Sequence, residues 1–188
     1  MDIVELATNL HGHLAPGVAL GIRMSEIALE RIETPRGNKK LIGVSETGRC
    51  LADAMQAAAG CTLGHGNAMV MDYGKLAITI GRVDTRRGVR VSLRKDAFKL
   101  SPLMEEWMMR GRKLTHSEEN ELGKQLLSID EEYLTIEDVA LKVDQNFENS
   151  PILKCLECEE LVPEIFVIEK DGKTLCKVCA GEGYYKVI

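Results

Sequence analysis

Four cysteines near the C-terminus constrain the fold of this chain more than any other feature. They form two pairs, Cys155-x2-Cys158 and Cys176-x2-Cys179, separated by seventeen residues. Two thiolates two positions apart can face one ion, and two such pairs complete the tetrahedral four-sulfur shell that suits Zn²⁺. Because a closed shell leaves no open coordination position, we expect this zinc to organise structure and not to activate water.

The residues around the cysteines predict a small metal-dependent domain. Segments 164–168 and 173–175 flank a turn at Asp171-Gly172, which indicates a hairpin. About 34 residues build too small a core to fold alone, so the metal supplies much of the folding free energy. A knuckle, a hairpin and a second knuckle leading into a short helix resemble a treble-clef finger, and the spacing is similar to that of the DksA/TraR-type zinc finger.

Other uses of the four cysteines are two disulfides, a rubredoxin-like iron site or a four-cysteine cluster. The first residues carry an acid at position 2 and lack the basic start and apolar middle of a signal peptide. We therefore expect a cytoplasmic protein in a reducing compartment, which disfavours disulfides.

Composition limits the partners of the chain. Of its 188 residues 45% are hydrophobic and 28% charged, which is typical of a globular protein, and the formal net charge is −5. No apolar run approaches the roughly 18 residues that span a bilayer, so we expect no membrane association. Segment 155–188 holds seven acidic residues against four lysines. This excess makes binding to the phosphates of a nucleic acid unlikely.

The polar stretch 144–152 predicts a linker between a core domain, residues 1–145, and a C-terminal zinc finger, residues 151–188. Apolar spacing in the core predicts helices at 3–10, 16–31, 50–59, 101–114 and 117–128. Strands are predicted at 41–45, 68–71, 76–80 and 89–93. The short spacing of the last three strands favours antiparallel pairing. The predicted fold is α+β, an antiparallel sheet packed with helices, followed by the small treble-clef finger.

Histidines and cysteines of the core domain form a second candidate constellation. His11 and His13 flank a glycine in a loop, where both rings can face one ion, although surface or capping roles are equally compatible with the pattern. Cys50 begins a predicted helix with Asp53 on the same face, and a small buried hydrophobe is the alternative there. Cys61 lies in a glycine-flanked loop, where packing explains it less easily.

Four ordered motifs carry a resemblance to a known family: segments 11–17 (HGHLAPG), 48–56 (GRCLADAMQ), 60–64 (GCTLG) and 72–75 (DYGK). Their order and gaps over roughly residues 8–80, with a weaker pattern to about 145, resemble the E-subunit family of formylmethanofuran dehydrogenase. The resemblance implies an α+β core that dimerises, a His/Cys metal site, and a finger that some members carry as an appendage. The family name refers to one component of a molybdenum or tungsten enzyme that handles one-carbon units in methanogenesis.

Carried onto this chain, the resemblance implies a core site at His13 and Cys61, supported by His11, Cys50 and Asp53. Imidazole and thiolate favour a late transition metal as the second ion of the protein.

The same resemblance places Lys75 at the family's Gly-Lys position, where it would neutralise an anionic ligand; an ordinary surface lysine is the alternative. The chain departs from the family pattern at Ala15, where members commonly carry a cysteine. His65 stands where a basic residue is expected, and either replaces a lost ligand or simply occupies a glycine loop.

Three functions fit these observations. The first is a metal-binding accessory protein, a component of a larger enzyme complex; the second is a stand-alone zinc-dependent enzyme of unknown reaction; the third is a regulator that uses the finger for protein contacts. No catalytic residue emerges, so the sequence does not decide whether the protein is an enzyme. We expect a homodimer, from the resemblance and from the opposite charges of segments 82–95 and 117–138, which could pair between protomers.

Overall fold

The computed structural model describes residues 2–143 and 150–185, and most of the predicted linker lies outside them. The chain divides into two compact units, Met1–Gln145 and Asn146–Ile188. In the described ranges no helix has both the length and the apolar character that crossing a membrane requires.

Helices in the described part of the first unit follow the predicted positions closely. They are α1 (Ile3–His11), α2 (Pro16–Arg31), α3 (Cys50–Ala59), α4 (Pro102–Met109) and α5 (His116–Leu126). Helix α3 has its predicted bounds, because Gly60 adopts the left-handed conformation (φ 70°) that ends a helix. Helix α4 ends five residues before its predicted end, where Arg110 takes a positive φ of 52°.

The strands of this unit form one mixed sheet in the order β2-β1-β3-β4-β5. They are β1 (Leu41–Ser45), β2 (Ala68–Val70), β3 (Ala77–Arg82), β4 (Arg87–Leu93) and β5 (Leu134–Ala140). The α+β class is confirmed, and β3 and β4 pair antiparallel as predicted. The expected antiparallel pairing of β2 is wrong: β2 runs parallel to β1, because α3 supplies the crossover that a parallel pair needs. Strand β5 was not predicted.

Helix α2 forms the centre of the core. Its apolar side chains belong to one buried cluster with those of β3 and β4, including Leu20, Ile27, Ile80 and Val89. Its other face meets α3 without room for side chains. A Cβ atom added at Gly21 would lie 2.6 Å from the Cβ of Ala54, a separation that only a glycine avoids.

The opposite charges that motivated a homodimer meet partly within the chain. Arg90 of β4 lies directly opposite Glu137 of β5, and its Nη1 is 3.0 Å from the Glu137 carboxylate. Pairing between protomers is therefore not required to neutralise these residues, and the homodimer stays a prediction.

The second unit consists of two small hairpins. Strand β6 (Ile152–Lys154) pairs with β7 (Leu161–Pro163), and β8 (Val167–Lys170) pairs with β9 (Lys173–Cys176). The predicted turn is confirmed, since Asp171 and Gly172 have φ values of 52° and 72°, as a tight turn between twisted strands requires. Residues 164–166 form a 3-10 turn instead of strand, and a single helical turn follows at 178–182.

A buried ion pair joins three strands of the first unit. Glu46, which follows β1 and is 7% exposed, accepts two hydrogen bonds from Arg90, at 2.6 Å from Nε and 3.0 Å from Nη2. These hydrogen bonds hold the pKa of Glu46 below its ordinary value of 4.5.

The pair predicts a specific dependence of stability on pH. Because the folded-state pKa of Glu46 is lowered, its contribution is complete above about pH 4.5 and is lost as pH falls through the folded-state value. Glu46→Gln should lower the free energy of unfolding at pH 7 by about 1–3 kcal/mol. That difference from wild type should shrink below pH 4.5, as chemical denaturation at several pH values would measure. Glu137→Gln is the control, since its carboxylate is 49% exposed and worth little. Equal effects of the two variants would contradict the assignment.

Candidate metal centres

The four C-terminal cysteines converge on one point. The sulfur atoms of the cysteine quartet (Cys155, Cys158, Cys176 and Cys179) all lie within 4.8 Å of one another. Sulfurs at the corners of a tetrahedron about 2.3 Å from a central ion lie roughly 3.8 Å apart. The distance between the Cys158 and Cys176 sulfurs is 3.9 Å. The quartet is therefore consistent with a zinc finger.

Backbone donors favour the thiolate form that a metal requires. The N–H of Cys176 lies 3.3 Å from the Cys155 sulfur, and the N–H of Cys179 lies 3.4 Å from the Cys176 sulfur. Hydrogen bonds from the backbone of Cys176, Cys158 and Glu157 lower the pKa of Cys155 to about 6. Cys155 is itself fully buried. Negative charge at the centre of the quartet is thus stabilised before an ion binds.

A second group of ligand atoms lies in the first unit. This core ligand group consists of His13, His116 and Glu119, whose nearest donor atoms lie within 4.8 Å of one another. The Glu119 Oε2 is 3.5 Å from both the His13 Nε2 and the His116 Nδ1. Nitrogen and oxygen ligands about 2.0–2.1 Å from a tetrahedral ion lie roughly 3.4 Å apart, which these distances match.

Local structure explains why the group forms. His116 and Glu119 lie one turn apart at the start of α5, which begins with a capping box between Thr115 and Glu118. One turn beyond Glu119, Gly123 allows close approach of the loop after α1, because a Cβ there would lie 3.2 Å from the Leu14 side chain. Leu14 follows His13 directly, so this contact brings His13 to Glu119.

His11 lies beside the core ligand group. Its Nδ1 is 2.7 Å from the Asp53 carboxylate, and its ring centre is 5.4 Å from that of His13. A carboxylate on one ring nitrogen fixes the orientation of the imidazole and leaves the other nitrogen available. The expected closeness of His11, His13 and Asp53 is therefore present in the fold.

The two core cysteines have other surroundings. Cys61 is fully buried in the main apolar core, and burial raises the pKa of its thiol to about 12. Cys50 packs against α2, with its Cβ 2.8 Å from where a Gly17 Cβ would be, and burial raises its pKa. Within residues 2–143 and 150–185, neither cysteine belongs to a group of three or more ligands. A site joining His13 to Cys61 stays a prediction, and burial among apolar side chains does not favour it.

The remaining sequence candidates have ordinary contacts. The Lys75 Nζ lies 5.9 Å from the centre of the Tyr73 ring at the surface. His65 is exposed, with its Nδ1 3.0 Å from the Thr62 hydroxyl. Ala15 is 5% exposed and begins α2 as its N-cap. None of the three belongs to a ligand group in the described ranges.

Sequence reasoning missed His116 and Glu119. The available signal was their spacing, a histidine and a glutamate one helical turn apart directly after a Thr-x-x-Glu capping box. Such a pair lies on one helix face and can share an ion. Its proximity to His13 depends on tertiary packing, which no local pattern reveals.

Comparisons with known proteins give a consistent result. The family described as "FmdE, Molybdenum formylmethanofuran dehydrogenase operon" matches residues 10–142. The crystal structure of an FmdE-like protein of tungsten formylmethanofuran dehydrogenase, from Syntrophus aciditrophicus, matches with a TM-score of 0.77 and 26% identity. That match covers 97% of this chain and 92% of the other.

A curated relative from Archaeoglobus fulgidus is described as a probable S-adenosyl-L-methionine-binding protein. It is 35% identical over 202 residues, which cover 97% of this chain and 53% of that protein. The chain thus spans about half the length of the curated relative it matches.

The cysteine quartet predicts the outcome of a single substitution. Cys158→Ser should lose about one equivalent of zinc and unfold the second unit while the first unit stays folded, because a three-sulfur shell binds more weakly. Elemental analysis and limited proteolysis would measure both effects. Cys50→Ser should keep the full metal content. Retention of all zinc by Cys158→Ser would refute the quartet as a zinc site.

Proposed function

The chain belongs to the FmdE family, and we propose that it is a metal-binding accessory protein of a molybdenum or tungsten one-carbon enzyme. In this proposal a structural zinc stabilises the cysteine quartet, and the core ligand group binds a second, exchangeable transition metal. The observation that carries the proposal is the convergence of His13, His116 and Glu119.

The chemistry of the core ligand group supports a zinc-like ion. Two imidazoles and one carboxylate suit zinc and other late transition metals. Three protein ligands leave one position of a tetrahedral shell for water or for a group from a partner. The described surroundings keep that position accessible, since the His116 and His13 side chains are 90% and 43% exposed. Exposure of this kind favours exchange of a metal or ligand over permanent structural binding.

The accessory role is supported by the relatives. The family description refers to a molybdenum formylmethanofuran dehydrogenase operon, and the name of the Syntrophus protein refers to the tungsten enzyme. We extend this association to the present chain as part of the proposal. A homodimer, expected from the resemblance, and a larger enzyme complex belong to the same proposal. Binding of S-adenosyl-L-methionine does not, because about half of the Archaeoglobus relative has no counterpart here.

A second candidate function is a stand-alone zinc-dependent enzyme, and the His11–Asp53 pair favours it. A metal bound with an open position polarises a carbonyl or lowers the pKa of a bound water. His11, oriented by Asp53 at 2.7 Å and adjacent to His13, is placed to accept or donate a proton there.

The core site can be tested apart from the finger by titrating cobalt into zinc-loaded full-length protein. We expect one additional equivalent, weakened at least about tenfold in His116→Ala and in Glu119→Gln. Its absorption should lack a thiolate charge-transfer band, because no sulfur belongs to the group.

Cys61→Ala is the matched control for that titration and should leave cobalt affinity unchanged. A thiolate band that disappears in Cys61→Ala would instead support the site that joins His13 to Cys61. Failure of the wild-type core to bind cobalt at all would contradict the proposed function.

A further inference from the structure

A groove on the first unit carries an unusual set of side chains. It has a volume of about 520 Å³ and lies where the carboxyl ends of α2, β3 and β5 meet the start of β4. Three arginines line it, which together we name the arginine groove: Arg31, Arg82 and Arg87. Its other lining residues are small, apolar or hydroxyl-bearing, apart from one carboxylate, Asp138.

The sheet register forces two of these arginines together. Arg82 of β3 and Arg87 of β4 lie directly opposite each other, two positions beyond the opposed pair Ile80 and Val89. Since side chains alternate between faces, both arginines point to the helix-covered face that these buried residues occupy. Like charges directly opposite each other on one face destabilise a sheet. The last residue of α2, Arg31, adds a third positive charge.

The carboxylates nearby neutralise this charge only in part. Arg82 donates to Asp84 at 3.0 and 2.8 Å, but Asp84 is shared with Lys40 at 2.9 Å. Arg31 pairs with Glu131 at 2.6 Å. For the guanidinium of Arg87, the described part of the chain provides no hydrogen bond or ion pair. A concave site thus retains net positive charge and a donor fork without an acceptor.

We propose that the arginine groove binds a small phosphorylated molecule, with its phosphate oxygens between Arg82 and Arg87. Guanidinium groups bind phosphate in a bidentate manner, and an anion there would relieve the repulsion between them. The volume falls within the range of about 300–1,000 Å³ found for small-molecule sites, so the ligand is larger than the phosphate itself. The carboxylate of Asp138 is available to accept a hydrogen bond from a hydroxyl group of that ligand.

This site is distinct from the core ligand group. His13 lies just before the first residue of α2, whereas Arg31 is the last residue of this 16-residue helix. At 1.5 Å per residue the two ends are about 24 Å apart. Phosphate-ester binding therefore does not depend on the proposed metal function, and either can fail without the other.

Ribose 5-phosphate tests the proposal directly, with ribose and chloride-matched ionic strength as references. Isothermal titration of the full-length protein should detect binding of ribose 5-phosphate and none of ribose. Arg87→Gln should weaken that binding at least about tenfold, the loss expected for a charge-assisted contact of about 1.4 kcal/mol or more. Arg94→Gln is the matched control, because Arg94 pairs with Asp96 and does not line the groove.

Thermal unfolding supplies a second reading with an opposite sign. Without ligand, Arg87→Gln should raise Tm, because it removes one of two opposed like charges. Ribose 5-phosphate should raise Tm of the wild type but not of this variant. Equal weakening by Arg94→Gln, or no binding to the wild type, would overturn the proposal. Absent binding combined with a dimer that dissociates in Arg87→Gln would overturn it too, and would assign the groove to an interface between copies.

Discussion

The close packing of α2 on α3 is the constraint on which the rest of the first unit depends. Two glycines of α2, Gly17 and Gly21, face Cys50 and Ala54 at distances that leave no space for a Cβ atom. This contact fixes α2 against α3, while its apolar face covers β3 and β4. Both proposed sites follow from that placement. His13 precedes the first turn of α2, and Arg31 ends its last turn.

The two units use different chemistry for their ligand groups. In the second unit, four thiolates close a shell around one point, and backbone N–H donors stabilise their charge. Such a shell can stabilise a unit that has a small apolar core of its own. In the first unit the fold is stable on packing alone. Its imidazole and carboxylate group is free to be exposed and incomplete, as exchange of a ligand requires.

Features encoded over a few residues were predictable from the sequence. The cysteine quartet follows from spacing, and α3 from an alanine-rich run ended by Gly60. Features that depend on distant packing were not. The parallel pairing of β2 arises because β1 separates it from β3, and β5 lies in a segment whose acidic residues concealed its alternation. The same reason explains what was missed at the core site. Cys61 resembled a ligand because its loop is rich in glycine, yet the fold buries it among apolar side chains. His116 and Glu119 approach His13 from more than a hundred residues away, through the contact of Gly123 with Leu14.

The central claim is that the core binds a metal through nitrogen and oxygen ligands alone. The most direct measurement is an anomalous difference map at the zinc edge from a crystal of the full-length protein grown with zinc. The account predicts two peaks, one among the four sulfurs of the quartet and one bonded to His13, His116 and Glu119. A core peak bonded to the Cys61 sulfur, or a zinc-saturated crystal with no core peak, would contradict it.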